Sequence, residues 1–478
     1  MRRRAAVAAA ALALALAACD DGAVRLEPVF ELPSAEDALA QPTNLTGLVL
    51  SVAHAGSAVD LASRSFLPGE RVELSVVPFD DDLVVHLTGQ TGASVTAYGR
   101  TCTFSVGAGA DPPAPHLWFA RTLLFATIPL APAPRTGGAA IELAGRALFL
   151  GGGSDVLERF DPRTGELTEI GQLAPRTGAV TATIGPAEAP RLAVVGGEAG
   201  GEPAGLLELI QPAASGPARI DRIEDVRLAR IGATATALTD GRVVVIGGRG
   251  GTGAPVAELL ELTADGADPD LRNARAPLAH PRSEHSATRL GDDVGAPVLI
   301  AGGLGAAGPV AVAELWKPLS GDLASPATFS PMMLTPRRGH RAELMPDGSV
   351  LMIGGIDGAG QPVRMLERFV IDAGFVPAGE LPAGIGIVDI TTTRLPDGRI
   401  LIAGGRPASG AAPVDTAAIA SLDVVNGAVS VVRTGDRLAV PRAGHHAVPL
   451  CDGTIWLGGG TAAAPEAERY SPLPPGRR

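Results

Sequence analysis

The stretch "DGRVVVIGGRGGTG" (residues 240–253) runs an apolar segment into a glycine-rich turn. Gly248, Gly250 and Gly253 fit the spacing G-x-G-x-x-G, which lets a backbone approach a dinucleotide pyrophosphate. The same spacing returns in "VLIAGGLGAAGP" (residues 298–309). Because a dinucleotide fingerprint belongs to one strand–helix unit, its return further along the chain indicates a structural repeat rather than a cofactor site.

An apolar run ends in a double glycine seven times, beginning at Gly151, Gly196, Gly247, Gly302, Gly354, Gly404 and Gly458. An arginine precedes the glycines in most copies, an Asp-Gly pair often lies between, and an apolar segment carrying glutamate follows. The pattern predicts four short antiparallel strands a to d in each copy. Strand a follows the arginine, strand b ends at the double glycine, and strand c carries the glutamate.

These repeats resemble the kelch and galactose-oxidase-like propeller family over residues 122–472. The resemblance implies an all-β chain whose residues 121–478 form a seven-bladed kelch-like β-propeller. The seventh copy has no room for strand d before the chain ends, whereas "TLLFATIPL" (residues 122–130) precedes the first copy. We therefore predict that residues 122–130 pair with residues 466–470 and close the ring of blades.

The N-terminal residues 1–19 have the features of an export signal, with three arginines followed by an Ala/Leu run. The run is too short for a membrane helix and ends in Leu-Ala-Ala-Cys, which resembles the lipobox of bacterial lipoproteins. That resemblance implies lipidation at Cys19 and a lipid-anchored location in the cell envelope. The alternative is an ordinary signal peptide with a chance cysteine. We expect residues 20–43 to be a flexible tether and residues 44–120 a small β-sandwich-like domain.

The amino-acid composition argues against two kinds of binding function. The net charge of −12 argues against a nucleic-acid partner, and 3% aromatic residues disfavour a surface that stacks bases or sugars. Apart from Cys19, the chain has only Cys102 and Cys451. In an oxidising compartment we predict a disulfide between them, the alternative being two unrelated buried thiols.

The arginine before strand a and the glutamate of strand c should be neighbours, because antiparallel strands a and c start at the same edge of their sheet. We predict structural ion pairs, with a ring of arginines that binds an anionic ligand as the alternative. The predicted pairs are Arg135–Glu158, Arg176–Glu208, Arg282–Glu314, Arg337–Glu367, Arg442–Glu468 and, in the third copy, Arg230 with Glu258 or Glu261. In the sixth copy Ile387 replaces the arginine, and the glutamate position falls roughly at Ala420.

Histidines recur three residues after the arginine, at His285, His340 and His445. We expect each to bond a neighbouring strand, the alternative being a shared metal ion. Copper chemistry of the galactose-oxidase type implies two tyrosines and two histidines in one site. The only tyrosines, Tyr98 and Tyr470, are far apart in the sequence, which disfavours that chemistry.

We therefore expect a non-enzymatic envelope protein that binds or scaffolds other proteins, without cofactor or metal. Its partner would be an envelope protein or a polysaccharide, and its membrane contact the lipid anchor alone. The alternative is a carbohydrate-binding or galactose-oxidase-like propeller enzyme. Binding should use the face that carries the b–c and d–a loops, since these vary most between copies. The loop after Gly404 is the first candidate.

Overall fold

The computed structural model describes residues 23–107, 114–128, 130, 132, 135–264, 269–324, 331–461 and 467–474. These residues form an all-β structure of antiparallel sheets and one parallel two-stranded sheet, and their only helical segment is a single 3-10 turn, Val226–Leu228. Within these ranges, no helix is both long and apolar enough to span a membrane. The expected signal segment 1–19, with Cys19, lies outside the described residues.

The N-terminal domain contains ten strands: β1 (Ala23–Leu26), β2 (Val29–Glu31), β3 (Gly47–His54), β4 (Asp60–Phe66), β5 (Leu74–Pro78), β6 (Asp80–Thr91), β7 (Ser94–Arg100), β8 (Phe104–Val106), β9 (His116–Trp118) and β10 (Ala120–Arg121). Six of them form one sheet in the order β10-β7-β6-β3-β4, with β8 also paired to β6. The ribbon β1–β5 shares a hydrophobic cluster with this sheet. The domain therefore has two layers around one core.

The prediction of a flexible tether over residues 20–43 was wrong for part of that segment. Residues 23–31 form β1 and β2, which pair with β5 and with β9. Val24 and Leu26 are buried in the domain core, and Ala40 is buried further on. The alternation of apolar residues in "AVRL" supplies one buried face, which the acidic and proline-containing composition of the segment concealed.

Seven four-stranded antiparallel sheets follow. They are numbered 1 to 7 along the chain. The outer strand of sheet 7, β11 (Leu124–Ile128), precedes sheet 1 in the sequence. Sheet 1 contains β12 (Gly138–Leu143), β13 (Arg146–Gly151), β14 (Val156–Asp161) and β15 (Glu166–Gln172). Sheet 2 contains β16 (Val180–Ile184), β17 (Arg191–Val195), β20 (Leu206–Gln211) and β21 (Arg219–Glu224), and the hairpin β18 (Glu198–Ala199) and β19 (Glu202–Pro203) extends from it. Sheet 3 contains β22 (Thr234–Ala237), β23 (Val243–Ile246), β24 (Leu259–Thr263) and β25 (Asp270–Asn273).

Sheet 4 contains β26 (Ser286–Arg289), β27 (Val298–Ala301), β30 (Glu314–Lys317) and β31 (Asp322–Leu323), with the hairpin β28 (Leu304–Gly305) and β29 (Gly308–Pro309). Sheet 5 contains β32 (Arg341–Leu344), β33 (Val350–Ile353), β34 (Met365–Val370) and β35 (Gly374–Glu380). Sheet 6 contains β36 (Thr391–Arg394), β37 (Ile400–Ala403), β38 (Ala417–Leu422) and β39 (Val429–Arg433). Sheet 7 is completed by β40 (His446–Pro449), β41 (Ile455–Gly458) and β42 (Ala467–Ser471).

The seven sheets follow one another in a cycle. Each shares a hydrophobic cluster with the next, and a cluster between sheets 7 and 1 completes the series. The first strand of each sheet also contacts the first strands of both neighbours, including β12 with β40. Second strands such as Val243–Ile246 are buried throughout, because both faces of the strand pack against protein. This explains their uninterrupted apolar sequence.

The predicted pairing of the segment before the first sheet with the last strand of the chain is confirmed. β11 pairs with β42 in antiparallel register, with Phe125 opposite Tyr470. Pro129 and Glu466, at the margins of the predicted segments, lie outside the described residues. The last sheet therefore depends on residues that precede the first one.

The double glycines are required where successive sheets meet. Gly302 has a φ of +63°, and a Cβ there would lie 2.6 Å from both the carbonyl oxygen of Arg337 and Cε1 of His340. A Cβ at Gly404 would lie 2.5 Å from the carbonyl oxygen of Arg442 and 2.7 Å from Cε1 of His445. Only glycine permits this backbone conformation and this close approach together. In the seventh copy the positive-φ pair is Gly459 and Gly460, one residue later than the sequence pattern suggested.

Candidate functional site

The structure brings together five of the predicted arginine–glutamate pairs. In each one the arginine side chain is at most 2% exposed. The nitrogen–oxygen distances are 2.6 Å for Arg135–Glu158, Arg176–Glu208 and Arg282–Glu314 and 2.9 Å for Arg442–Glu468, and Arg337–Glu367 also forms a close pair.

These pairs hold the d–a loop against its own sheet. Glu367 accepts hydrogen bonds from the backbone N–H groups of Leu334 and Thr335, while Arg337 donates to the carbonyl oxygen of Gly354. Glu314 accepts in the same way from the loop before Arg282. Since burial and internal partners occupy the arginines, these pairs stabilise loops and are not open to a ligand. The burial of these arginines against glutamates therefore argues against the alternative, a ring of arginines that binds an anionic ligand.

Two copies depart from the predicted pairs. Strand register places Leu260 opposite Val245 in sheet 3 and Ala418 opposite Ile402 in sheet 6, the position that glutamate takes elsewhere. The predicted equivalence of Ala420 was therefore wrong by two residues. Neither the carboxylate of Glu258 nor that of Glu261 takes the predicted place beside Arg230: Glu258 is exposed, and Glu261 pairs with Arg242.

Arg230 is consequently a buried arginine that bonds only backbone oxygens within the described residues. Its guanidinium donates to the carbonyl oxygens of Arg227, Gly247 and Glu258 at 2.6, 3.2 and 2.6 Å. Burial lowers the pKa of Arg230 to about 10, which the charge of Glu258 only partly offsets. The sequence pattern did not reveal that Arg230 lacks a glutamate partner, because the arginine itself is present in this copy.

The three repeated histidines bond hydroxyl groups of the preceding sheet. Nε2 lies 3.0 Å from Thr234 Oγ1 for His285, 3.0 Å from Ser286 Oγ for His340 and 2.9 Å from Thr391 Oγ1 for His445. This is the expected bond to a neighbouring strand. Within the described ranges, no group of three or more His, Cys, Asp or Glu side chains is arranged to hold a metal ion.

A polar cavity of about 520 Å³ lies where the first strands begin. Six of the seven sheets line it, mostly through the opening residues of these strands. Small residues such as Gly137, Ala140 and Ala342 leave the space open. The polar lining side chains are Thr234, His285, Ser286, His340, Arg341, Glu343, Thr391, Thr392, His445 and His446. The cavity therefore opens on the face that carries the d–a and b–c loops.

Arg341 is the cationic group of this cavity. Its Nε donates to the carbonyl oxygen of Ile390 at 3.0 Å. Neither terminal nitrogen has a hydrogen-bond or ion-pair partner in the part of the chain that the structure describes. Arg341 keeps exposed surface in the open cavity, while desolvation by the surrounding protein lowers its pKa, against the attraction of Glu343 and Asp389.

Glu343 is the acidic group of the cavity. It lies two residues beyond Arg341 on β32, so both side chains are on the same face of the strand. Burial raises the pKa of Glu343, although the Thr392 hydroxyl, Arg341 and Arg394 favour its charged form. Thr392 donates a close hydrogen bond to the Glu343 carboxylate.

The cavity histidines are neutral at pH 7. Burial, with a smaller contribution from Arg282, lowers the pKa of His285 to about 3, and burial with the charge of Arg337 does the same for His340. The pKa of His446 falls to about 4, again through burial first. Arg341 therefore supplies positive charge that these imidazoles do not.

Sequence reasoning missed Arg341 and Glu343. Four residues after the repeat arginine or its replacement, the copies carry Ala139, Val180, Thr234, Ser286, Arg341, Thr391 and His446. An arginine among mainly small or hydroxyl residues was a usable signal. Glu343 had none, because its position on the inner face becomes meaningful only once the sheets are assembled.

The remaining predicted residues occupy other places. Cys102 and Cys451 form a disulfide that joins the N-terminal domain to the turn between β40 and β41. Tyr98 bonds His86 at 2.7 Å within the N-terminal sheet, and Tyr470 packs against Phe125 in sheet 7. The cavity lining includes neither tyrosine. Cys19 lies outside the described residues.

No family model matches the chain, and no curated protein matches it. A solved structure described as "Structure of YjhT" aligns with 65% of this chain and 99% of its own, at 14% identity and a TM-score of 0.47. A likeness at this level carries no argument about function.

Proposed function

We propose that the chain is an exported, lipid-anchored binding protein of the bacterial cell envelope. In this proposal residues 121–478 are a seven-bladed kelch-like β-propeller that presents a protein-binding face. Seven four-stranded sheets in cyclic order and the pairing of β11 with β42 support the propeller. The lipobox-like sequence supports the anchor.

The observation that carries the binding role is the variation of the b–c connections around the cavity mouth. They extend from residues 152–155 in sheet 1 to residues 404–416 in sheet 6. Their bases are held by bridges such as Arg338 with Ile356 and Val388 with Arg406. Variable segments on a fixed frame are the usual place for recognition.

The longest connection is itself ordered at its base. Arg406 bonds the carbonyl oxygen of Ala411 and forms an ion pair with Asp389, at 3.5 Å. Val414 donates to the carbonyl oxygen of Gly405, which closes the loop. Residues 407–413 can therefore be exchanged without cutting a sheet, and the exchange removes from the base only the bond between Arg406 and Ala411.

Replacing residues 407–413 with a short Gly-Ser link tests the binding face. Envelope proteins are cross-linked to the wild-type chain and to this variant, and the products are compared by mass spectrometry. A partner captured by the wild type should be lost from the variant while the thermal unfolding temperature stays the same. The matched control changes the opposite face, with Asp397→Asn and Arg399→Gln in the a–b turn of sheet 6. Partners lost from the control but kept by the loop variant would place binding on the other face.

The anchor has a separate test. Labelling with an alkyne fatty acid should mark the wild-type chain but not Cys19→Ser, and the variant should leave the membrane fraction. The disulfide supports an oxidising location, because such bonds are rare in reducing compartments. Equal labelling of both chains would refute lipidation at Cys19 without bearing on the binding face.

A further inference from the structure

We propose that the central cavity is a binding site for a small organic monocarboxylate, with the guanidinium of Arg341 as its receptor. This goes beyond the proposed protein-binding role, since it concerns a small molecule inside the ring rather than a partner on the loops. The cavity, the unoccupied donors of Arg341 and the composition of the walls each support it.

The donors of Arg341 are positioned but unused. The bond from its Nε to the Ile390 carbonyl fixes the side chain, while both terminal nitrogens are left without a partner in the described residues. The arginines of the repeat pairs contrast with it, because each of those is buried against a glutamate. A guanidinium held by Nε presents two parallel N–H donors, the arrangement that binds a carboxylate in a bidentate manner.

The surroundings of Arg341 favour one negative charge rather than two. His340, His445 and His446 are near enough for the charge of Arg341 to lower their pKa values further, so they are neutral around it. Arg341 is thus the one cation among the lining side chains. Glu343 and Asp389 already attract the guanidinium of Arg341, so a ligand with two negative charges would be repelled more strongly than a ligand with one. A monocarboxylate matches this balance better than a phosphate dianion does.

The size and lining of the cavity favour an organic molecule. A volume of about 520 Å³ lies within the range of ~300–1,000 Å³ usual for small-molecule sites. The hydroxyl groups of Thr234, Ser286 and Thr391 already bond histidines but keep further hydrogen-bonding capacity. The walls can therefore contact polar parts of the ligand beyond its carboxylate.

Binding is tested by calorimetry on the full chain in detergent, with acetate, benzoate and gluconate as probes. Benzamide serves as the uncharged counterpart of benzoate, and inorganic phosphate as the other oxyanion. We expect at least one carboxylate to bind with one-to-one stoichiometry, and benzamide and phosphate to bind more weakly than that carboxylate. Failure of all three carboxylates to bind the wild type, or tighter binding of phosphate or benzamide, would overturn the proposal.

Variants locate the site. Arg341→Gln should weaken carboxylate binding by about tenfold or more, because it removes a charged bidentate contact. Arg338→Gln is the matched control: it removes an arginine of the same segment that pairs with Glu284 outside the cavity lining, and it should bind like the wild type. Arg341→Lys keeps the charge but lacks the two parallel N–H donors, and it should bind with an affinity between those of the wild type and an uncharged variant. It replaces Arg341→Gln as the test if that variant unfolds. Equal affinity in folded Arg341→Gln, or in Arg341→Lys where only that variant folds, would refute the assigned receptor.

Discussion

The carbonyl oxygen of Arg135 accepts a hydrogen bond from the backbone N–H of Gly460 at 2.7 Å and so joins the first sheet to the seventh. A glycine N–H bonds the corresponding carbonyl at the six other junctions, namely Arg176, Arg230, Arg282, Arg337, Ile387 and Arg442. The bond survives at Ile387, where the arginine side chain is missing. Sheet-to-sheet contact therefore depends on backbone geometry that glycine permits, and the repeat arginines add loop support.

Removing β11 should open the cycle. A chain that begins at Arg135 lacks the strand that pairs with β42, so sheet 7 loses its outer strand and Tyr470 loses its contact with Phe125. We expect a broad, non-cooperative thermal transition by circular dichroism. A chain that begins at Ala120 is the control, since it also lacks Cys102 but keeps β11. Equal cooperativity of the two chains would argue against closure by β11.

Alanine at the first glycine of a pair should be much more costly than alanine at an exposed glycine. Gly302→Ala places a Cβ 2.6 Å from the Arg337 carbonyl oxygen, whereas Gly360, with a φ of +75°, has no atom within 4 Å of the added Cβ. We expect Gly360→Ala to cost about 1 kcal/mol through its backbone conformation alone. Gly302→Ala should cost more, because the junction must also separate. Denaturant unfolding measures both, and equal losses would contradict the contact argument.

Breaking a buried ion pair should be worse than replacing it. Arg337→Ile leaves the carboxylate of Glu367 buried without its cation, which we expect to cost ~3–5 kcal/mol in the free energy of unfolding. The double variant Arg337→Ile/Glu367→Ala reproduces the residues that sheet 6 carries naturally at Ile387 and Ala418. It should be more stable than the single variant in urea unfolding. A double variant that is less stable than the single one would show that loop bonds of Glu367 outweigh the unpaired charge.

The disulfide should tie the N-terminal domain to sheet 7. Cys102 and Cys451 are separated by 349 residues, and the bond supplements contacts such as Arg100 Nη2 to the Cys451 carbonyl oxygen at 2.9 Å. We expect Cys102→Ser/Cys451→Ser to lower the free energy of unfolding by roughly 2–4 kcal/mol. Thiol counting on the denatured, unreduced Cys19→Ser chain should find no free thiol. Two free thiols would show that the bond does not form.

Acid should destabilise the folded chain through the histidines of the cavity. The folded-state pKa values of about 3 for His285 and His340 and about 4 for His446 lie below the ordinary 6.5, so the unfolded chain takes up protons first. Their contribution is complete above pH 6.5 and is lost as the pH falls, by ~1.4 kcal/mol per pH unit for each histidine. Glu343 and Glu468, whose pKa values are raised, act in the opposite direction above pH 4.5.

The histidine contribution is isolated with His285→Gln/His340→Gln. Glutamine can still bond Thr234 and Ser286 but does not titrate, so stability should fall less steeply between pH 6.5 and 4 than in the wild type. Stability is measured by urea unfolding at each pH. Parallel curves for the two chains would show that His285 and His340 do not carry the acid sensitivity.

Much of the architecture was predictable because it repeats. Seven double glycines, the Asp-Gly turns and the spacing of Arg and Glu are local constraints that appear in the sequence at regular intervals. The pairing of β11 with β42 followed from counting strands in the last copy. The strands within residues 20–43 were missed because a proline separates two short alternating segments, each too brief to show a period.

The candidate site was less predictable. Ala418 rather than Ala420 takes the glutamate position, because strand register is set by pairing and not by loop length. The exceptional Arg230 was concealed for the same reason, since Leu260 occupies the position of its expected partner. Arg341 lines the cavity only because neighbouring first strands meet around it.

The sequence by itself determined the repeat, the order of strands and the strand that closes the seventh sheet, since glycine conformations, turns and apolar runs act over a few residues. Only the tertiary structure decided which side chains meet in the cavity. Arg341 and Glu343 share one strand with unremarkable neighbours, and the cavity that surrounds them is built by six sheets. Desolvation around that cavity, which shifts the pKa values of its histidines and of Glu343, is a property of the assembled sheets and is absent from any single copy.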